Sequence, residues 1–157
     1  MIVNLELDAQ QINSLDISSI VTQIESCIEE NGVLNCEQKL KFLISYPQSP
    51  DDPRELSEIS EIRLWFVRLD AAFPWLPVLL DWKSGELARY AAMLVPHQFS
   101  RSEGIIFNPE ALEIFVMSKI FVLSAWCQKQ NISATSRLKP LAQLFGYDID
   151  STFFEQI

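Results

Sequence analysis

Apolar and polar positions alternate near the start of the chain: after Ile2, the residues Val3, Leu5 and Leu7 are spaced by polar ones, which predicts a short first strand. The period then lengthens. Ile17, Ile20, Val21, Ile24 and Ile28 share one face of a helix running from a cap at Asp16 to about Glu30, with Gly32 as its stop. Leu40, Phe42 and Ile44 return to the two-residue period and predict a second strand ending at Pro47. Ile62, Trp65, Phe66 and Leu69 lie at helical spacing between Glu61 and Phe73, and Pro74 and Pro77 end that regularity. The run Val78-Leu79-Leu80 is too short for periodicity to separate strand from helix. Ser84 can cap a helix carrying Leu87, Tyr90, Ala91 and Leu94 that stops before Pro96, and Ile105 to Phe107 reads as a short strand.

The clearest helix start is Asn108-Pro109-Glu110, a capping side chain, a proline and an acid in the first turn. The helix it opens is predicted to reach about Gln130. Leu112, Phe115, Val116, Ile120, Leu123 and Trp126 lie on one side, and Ile114, Met117 and Phe121 on another. A helix apolar nearly all round belongs at the centre of a core, so Leu112, Phe115, Ile120 and Leu123 are expected to be buried. A further helix passes through Leu141, Leu144 and Phe145 to Gly146, and Asp150 caps a terminal turn. Together these elements predict an α+β fold. It is a predominantly helical single domain over residues 1–157, with a central buried helix and a small sheet near the N-terminus. Residues 47–60, with Pro47, Pro50 and Pro53 among acids and serines, form a surface connector with one helical turn started by Asp52-Pro53.

Charge sharpens this picture. The net charge is −9, which opposes binding to phosphate backbones and to anionic membranes. It is unevenly placed, since residues 1–60 hold eleven of the 21 acids and only three of the 12 bases. That excess reads first as a solvated face and second as a lure for a basic partner. Ile114 to Cys127 is the longest apolar stretch, and it falls short of the roughly 20 residues a spanning helix needs. The N-terminus lacks the basic region of a secretory signal and the Arg- and Ser-rich character of a transit peptide, so a cytoplasmic location is expected.

Few residues carry recognisable chemistry. The four glycines stand far apart, which leaves no phosphate-binding or dinucleotide-binding loop, and no G-x-S-x-G elbow is present. His97 is the only histidine. An enzyme would have to use it with Glu86 or Glu103 as acid and base. Cys27, Cys36 and Cys127 have neither paired nor repeated spacing, so neither a disulfide framework nor a zinc site is expected, and no cofactor is implied. Leu141 to Gly146 faintly resembles a recognition-helix segment, but the acidic balance favours a packing helix. The stretch Phe73–Gly104 is richer, gathering Trp75, Trp82, Arg89, Tyr90, His97, Phe99 and Arg101. Such side chains build cores and also anchor interfaces. Glu86 and Arg89 lie within one helical turn and can pair at the surface. Pro96 to Arg101 is expected to be loop, where function concentrates.

Three phrases in that region are distinctive: LDAAFPWLPVLLDW, GELARYAAMLVPHQFSR and NPEALEIFV. With the tail SRLKPLAQLFGYDIDSTFF, they resemble the chlororespiratory reduction assembly-factor family of cyanobacteria and chloroplasts over about residues 56–154. The resemblance implies a non-catalytic assembly factor for the photosynthetic NAD(P)H dehydrogenase-like complex. Its implied partner is the ferredoxin-like iron–sulfur subunit of the peripheral arm, held transiently while immature. It carries over no catalytic residues. Without a transit peptide, the chain is expected to act in a cyanobacterial cytoplasm. Arg89, His97, Phe99 and Arg101 are the candidate partner-binding residues, and a stable structural adaptor is the remaining alternative. Elemental analysis of the purified protein should find no stoichiometric zinc or iron, because the cysteine spacing offers no ligand set.

Overall fold

The computed structural model describes residues 1–157. The fold is α+β and predominantly helical, and the chain divides into two compact units, Met1–Leu94 and Val95–Ile157. The first unit runs β1 (Val3–Asp8), α1 (Ala9–Asn13), α2 (Ser18–Asn31), α3 (Val33–Cys36), β2 (Leu40–Ser45), α4 (Ser60–Ala72), α5 (Leu76–Leu79) and α6 (Glu86–Leu94). The second runs β3 (His97–Ser100), β4 (Gly104–Phe107), α7 (Pro109–Lys129), α8 (Ala134–Leu144) and α9 (Ser151–Gln156).

The two N-terminal strands pair in parallel, Leu5 opposite Phe42 and Leu7 opposite Ile44. Partners in a parallel register share a face, so Leu5, Leu7, Leu40 and Phe42 enter the core together. Glu6, Asp8, Leu43 and Ser45 are left on the outer face. A parallel pair needs a long crossover, which α1 to α3 provide. Gly32 ends α2 at φ 77°, its N–H donating to the Ile28 carbonyl at 2.8 Å, a geometry that costs glycine little. Against the sheet lies α4, burying Ile62, Trp65, Phe66 and Leu69. Phe66 meets Phe42 edge to face at 5.1 Å and Tyr90 at 5.9 Å, which links β2, α4 and α6 through one aromatic cluster. The polar ends of its larger rings are satisfied. The Trp65 indole donates to the Asp16 carbonyl at 2.8 Å, and the Tyr90 hydroxyl donates to Asp70 Oδ1 at 2.9 Å. Burial first, and the neighbouring Asp70 second, push the Tyr90 phenol well above its ordinary range.

Between β2 and α4 the connector holds a single 3-10 turn, Leu56–Glu58. It starts three residues later than Asp52-Pro53 predicts. Asp52 bonds Arg54 at 2.8 Å instead of capping a helix, and hydrogen bonds from Arg54 hold its carboxyl at about 2. Glu55 and Glu58 supply the reciprocal capping bonds. Ser84 likewise departs from its expected role. The helix starts at Glu86 beyond a left-handed Gly85, and the Ser84 hydroxyl donates to the Asp81 carbonyl.

In the second unit the Asn108 side chain accepts from the Ala111 N–H at 3.0 Å, as the sequence signature demands. Only part of α7's circumference is covered. Val116, Ile120, Leu123 and Cys127 are buried, and Leu112 and Phe115 are half-buried. Ile114, Phe121 and Val122 lie exposed, so the expectation of burial on every side fails along that stripe. Pro96–Arg101 is also not the loop expected of it: His97–Ser100 is the first strand of a hairpin. Leu123→Ala should lower unfolding free energy by about 2–5 kcal/mol in a urea titration, whereas Phe115→Ala at its half-covered site should cost less than the usual ~3–5 kcal/mol for a buried Phe.

Candidate functional site

The hairpin is built from two short strands with β-favouring residues at Phe99, Ile105, Ile106 and Phe107. Its turn is closed by the Ser100 hydroxyl, which accepts from the Glu103 N–H at 3.3 Å, and by Gly104 at φ 75°. The antiparallel register pairs His97 with Phe107, Gln98 with Ile106, and Phe99 with Ile105. One face is anchored through a relay of edge-to-face rings: His97 to Phe107 at 6.1 Å, Phe107 to Phe145 at 6.3 Å, and Phe145 to Phe115 at 6.0 Å. His97 is fixed further by a 3.0 Å contact of Nδ1 with the Val95 carbonyl, which places the proton of a neutral ring on Nδ1. Phe99 shares the face of His97 but stands nearer the tip, where it is 56% exposed. Ile106, on the opposite face, is 44% exposed. Arg101 projects from the turn and is exposed. A recess of about 360 Å³ lies at the hairpin's base, lined by Pro96, His97, Phe107 and Asn108 among others.

Arg89 sits in the other unit and does different work there. Its guanidinium Nη1 donates to the Phe42 carbonyl and to Glu86 Oε1, each at 3.1 Å. The second Glu86 oxygen accepts the Phe42 N–H at 3.1 Å. Glu86 itself is only 3% exposed, so the pair foreseen as a surface contact is a half-buried clamp on β2. Arg89 also borders an open hollow of about 670 Å³ above the sheet's outer face, whose other walls include Glu6, Asp8, Gln11, Lys41 and Ser45. The four candidate residues therefore fall in two groups: His97, Phe99 and Arg101 together on the hairpin, and Arg89 on α6.

The same geometry bears on the acid–base alternative. Both Glu86 oxygens are engaged by the backbone of Phe42 and by Arg89. Glu103 lies in the turn at the hairpin tip, whereas His97 lies at its base, roughly 10 Å of strand away. The three cysteines are buried, and no disulfide joins them. The Cys36 thiol donates to the Cys27 carbonyl at 2.9 Å, and burial, with that neighbour, pushes it up to about 12. Nowhere do three His, Cys, Asp or Glu side chains converge as a metal site would require, and no helix is long and apolar enough to cross a membrane.

The chain belongs to the Chlororespiratory reduction 6 family, whose family model matches residues 7–156. That family is linked to assembly of the NAD(P)H dehydrogenase complex of chlororespiration. The match takes in β2 and the end of β1, beyond the resemblance over residues 56–154. No solved structure matches the chain.

The two groups of candidates should separate by stability. Arg89→Ala leaves Glu86 buried without its cation and should cost about 2 kcal/mol or more in urea unfolding. The exposed pair Phe99→Ala/Arg101→Ala should stay within about 0.5 kcal/mol of the parent protein.

Proposed function

We propose that this protein is a non-catalytic assembly factor that transiently binds the immature ferredoxin-like iron–sulfur subunit of the peripheral arm of the photosynthetic NAD(P)H dehydrogenase-like complex. Membership of the assembly-linked family over residues 7–156 carries this reading. The hairpin supports it by supplying what such a task needs. A subunit that has not met its neighbours exposes apolar surface prone to aggregate, and a holder must cover that surface and later release it.

Phe99 is the proposed apolar contact and Arg101 the proposed donor, both exposed at the hairpin tip. His97 is proposed as the residue that shapes the base of the ribbon, since its ring is held by Phe107 and the Val95 carbonyl. Arg89 is proposed as a separate contact at the rim of the hollow over the first sheet, its side chain being a third exposed. Release requires a modest interface, under about 1,200 Å² in total. A cytoplasmic site of action belongs to the same proposal.

The measurement is capture of the purified iron–sulfur subunit by immobilised protein, read beside thermal stability. Phe99→Ala/Arg101→Ala should keep its melting temperature and lose at least about tenfold in affinity, the equivalent of ~1.4 kcal/mol. A stable double variant that binds the subunit as the parent does, and restores complex assembly in cells lacking the gene, would overturn the hairpin as the binding face. Failure of the parent protein itself to bind the subunit would overturn the partner.

A further inference from the structure

The exposed side of α7 carries an ordered pattern that the assembly reading does not use. Along one ridge, at steps of four, four, three, four and four residues, stand Glu110, Ile114, Ser118, Phe121, Ala125 and Lys129, spanning roughly 28 Å of helix. None of the six is buried, and Ile114 is 70% exposed. Val122 beside them is also exposed. The Phe121 ring packs edge to face against Phe153 at 6.0 Å. An isolated exposed Ile or Phe needs no explanation, but Ile114, Phe121 and Val122 exposed along one side of a long helix mark a contact surface.

The order of residues identifies the occupant. Turned end for end, the ridge matches itself. Ile114 comes opposite the small Ala125, Phe121 comes opposite the small Ser118, and the acidic end at Glu110 comes to the basic end at Lys129. Antiparallel packing also sets the two helix dipoles against each other favourably. We infer that two copies of this chain associate through α7, antiparallel, about a two-fold axis passing between Ser118 and Phe121. A two-fold interface requires a surface complementary to itself, which this ridge is in both size and charge. Contact along one helix face keeps the buried area at the small end of specific interfaces, so the dimer forms reversibly.

Sedimentation velocity from about 1 µM to about 1 mM brackets the dissociation constant expected of so small a contact. The weight-average mass should rise with concentration from the chain mass of 18.0 kDa toward twice that value. Glu110→Lys and Lys129→Glu should each weaken association at least about fivefold, and the double exchange should restore it to within about threefold. The position is read independently by mixing Ile114→Cys with Ala125→Cys protein. A disulfide between the two chains should form, while the native thiols stay buried. A single 18.0 kDa species across the whole range would overturn the inference. So would a dimer indifferent to the charge reversals that also fails to cross-link, since it would use another face.

Discussion

A carboxylate and a guanidinium stand where a third strand would stand. In the N-terminal parallel pair, the alternate residues of β2 that do not bond β1 turn their backbone groups outward. At Leu40 the carbonyl accepts from the Asp81 N–H at 2.8 Å. At Phe42 the next pair is satisfied wholly by side chains, with Glu86 taking the N–H and Arg89 meeting the carbonyl. Without them, a buried strand would carry unpaired polar groups beside the aromatic cluster, a cost that a two-stranded sheet could not absorb. With them, α6 is locked to β2, Tyr90 is brought against Phe66, and α4 is held to the sheet by the same rings. An edge closed in this way also offers little to a neighbouring chain seeking a strand to pair with.

What could be read in the sequence follows from the range over which each interaction acts. Strands at Val3–Asp8 and Leu40–Ser45 were legible because alternation is local, and so was the cap at Asn108. The parallel sense of their pairing was not, since nothing within either strand specifies its partner. The Glu86–Phe42 bond joins residues 44 apart through a backbone donor, and no side-chain pattern records such a contact. Spacing alone allowed Glu86 and Arg89 to be paired, but burial decided what the pair does.

The hairpin illustrates a different limit. Gln98, Ser100, Arg101, Ser102 and Glu103 look like solvent-facing loop, and Ile105 to Phe107 alone looked like strand. A strand must have a partner, however, and the only segment a short turn away was the one read as loop. Likewise α7 seemed to need cover on all sides because its apolar residues surround the axis. The stripe left open at Ile114 and Phe121 is where patterning and burial disagree, and such disagreement is more often a surface for association than an error of folding.

The two exposed apolar residues of the hairpin lie on opposite sides of the ribbon. Phe99 belongs to the face of His97 and Ile105, while Ile106 belongs to the face of Gln98. A flat surface pressed against this ribbon can shield one of them and leaves the other wet. Covering both would take a jaw with two lips that admits the tip edgewise, so a partner of the proposed hairpin face would need a notch rather than a plane.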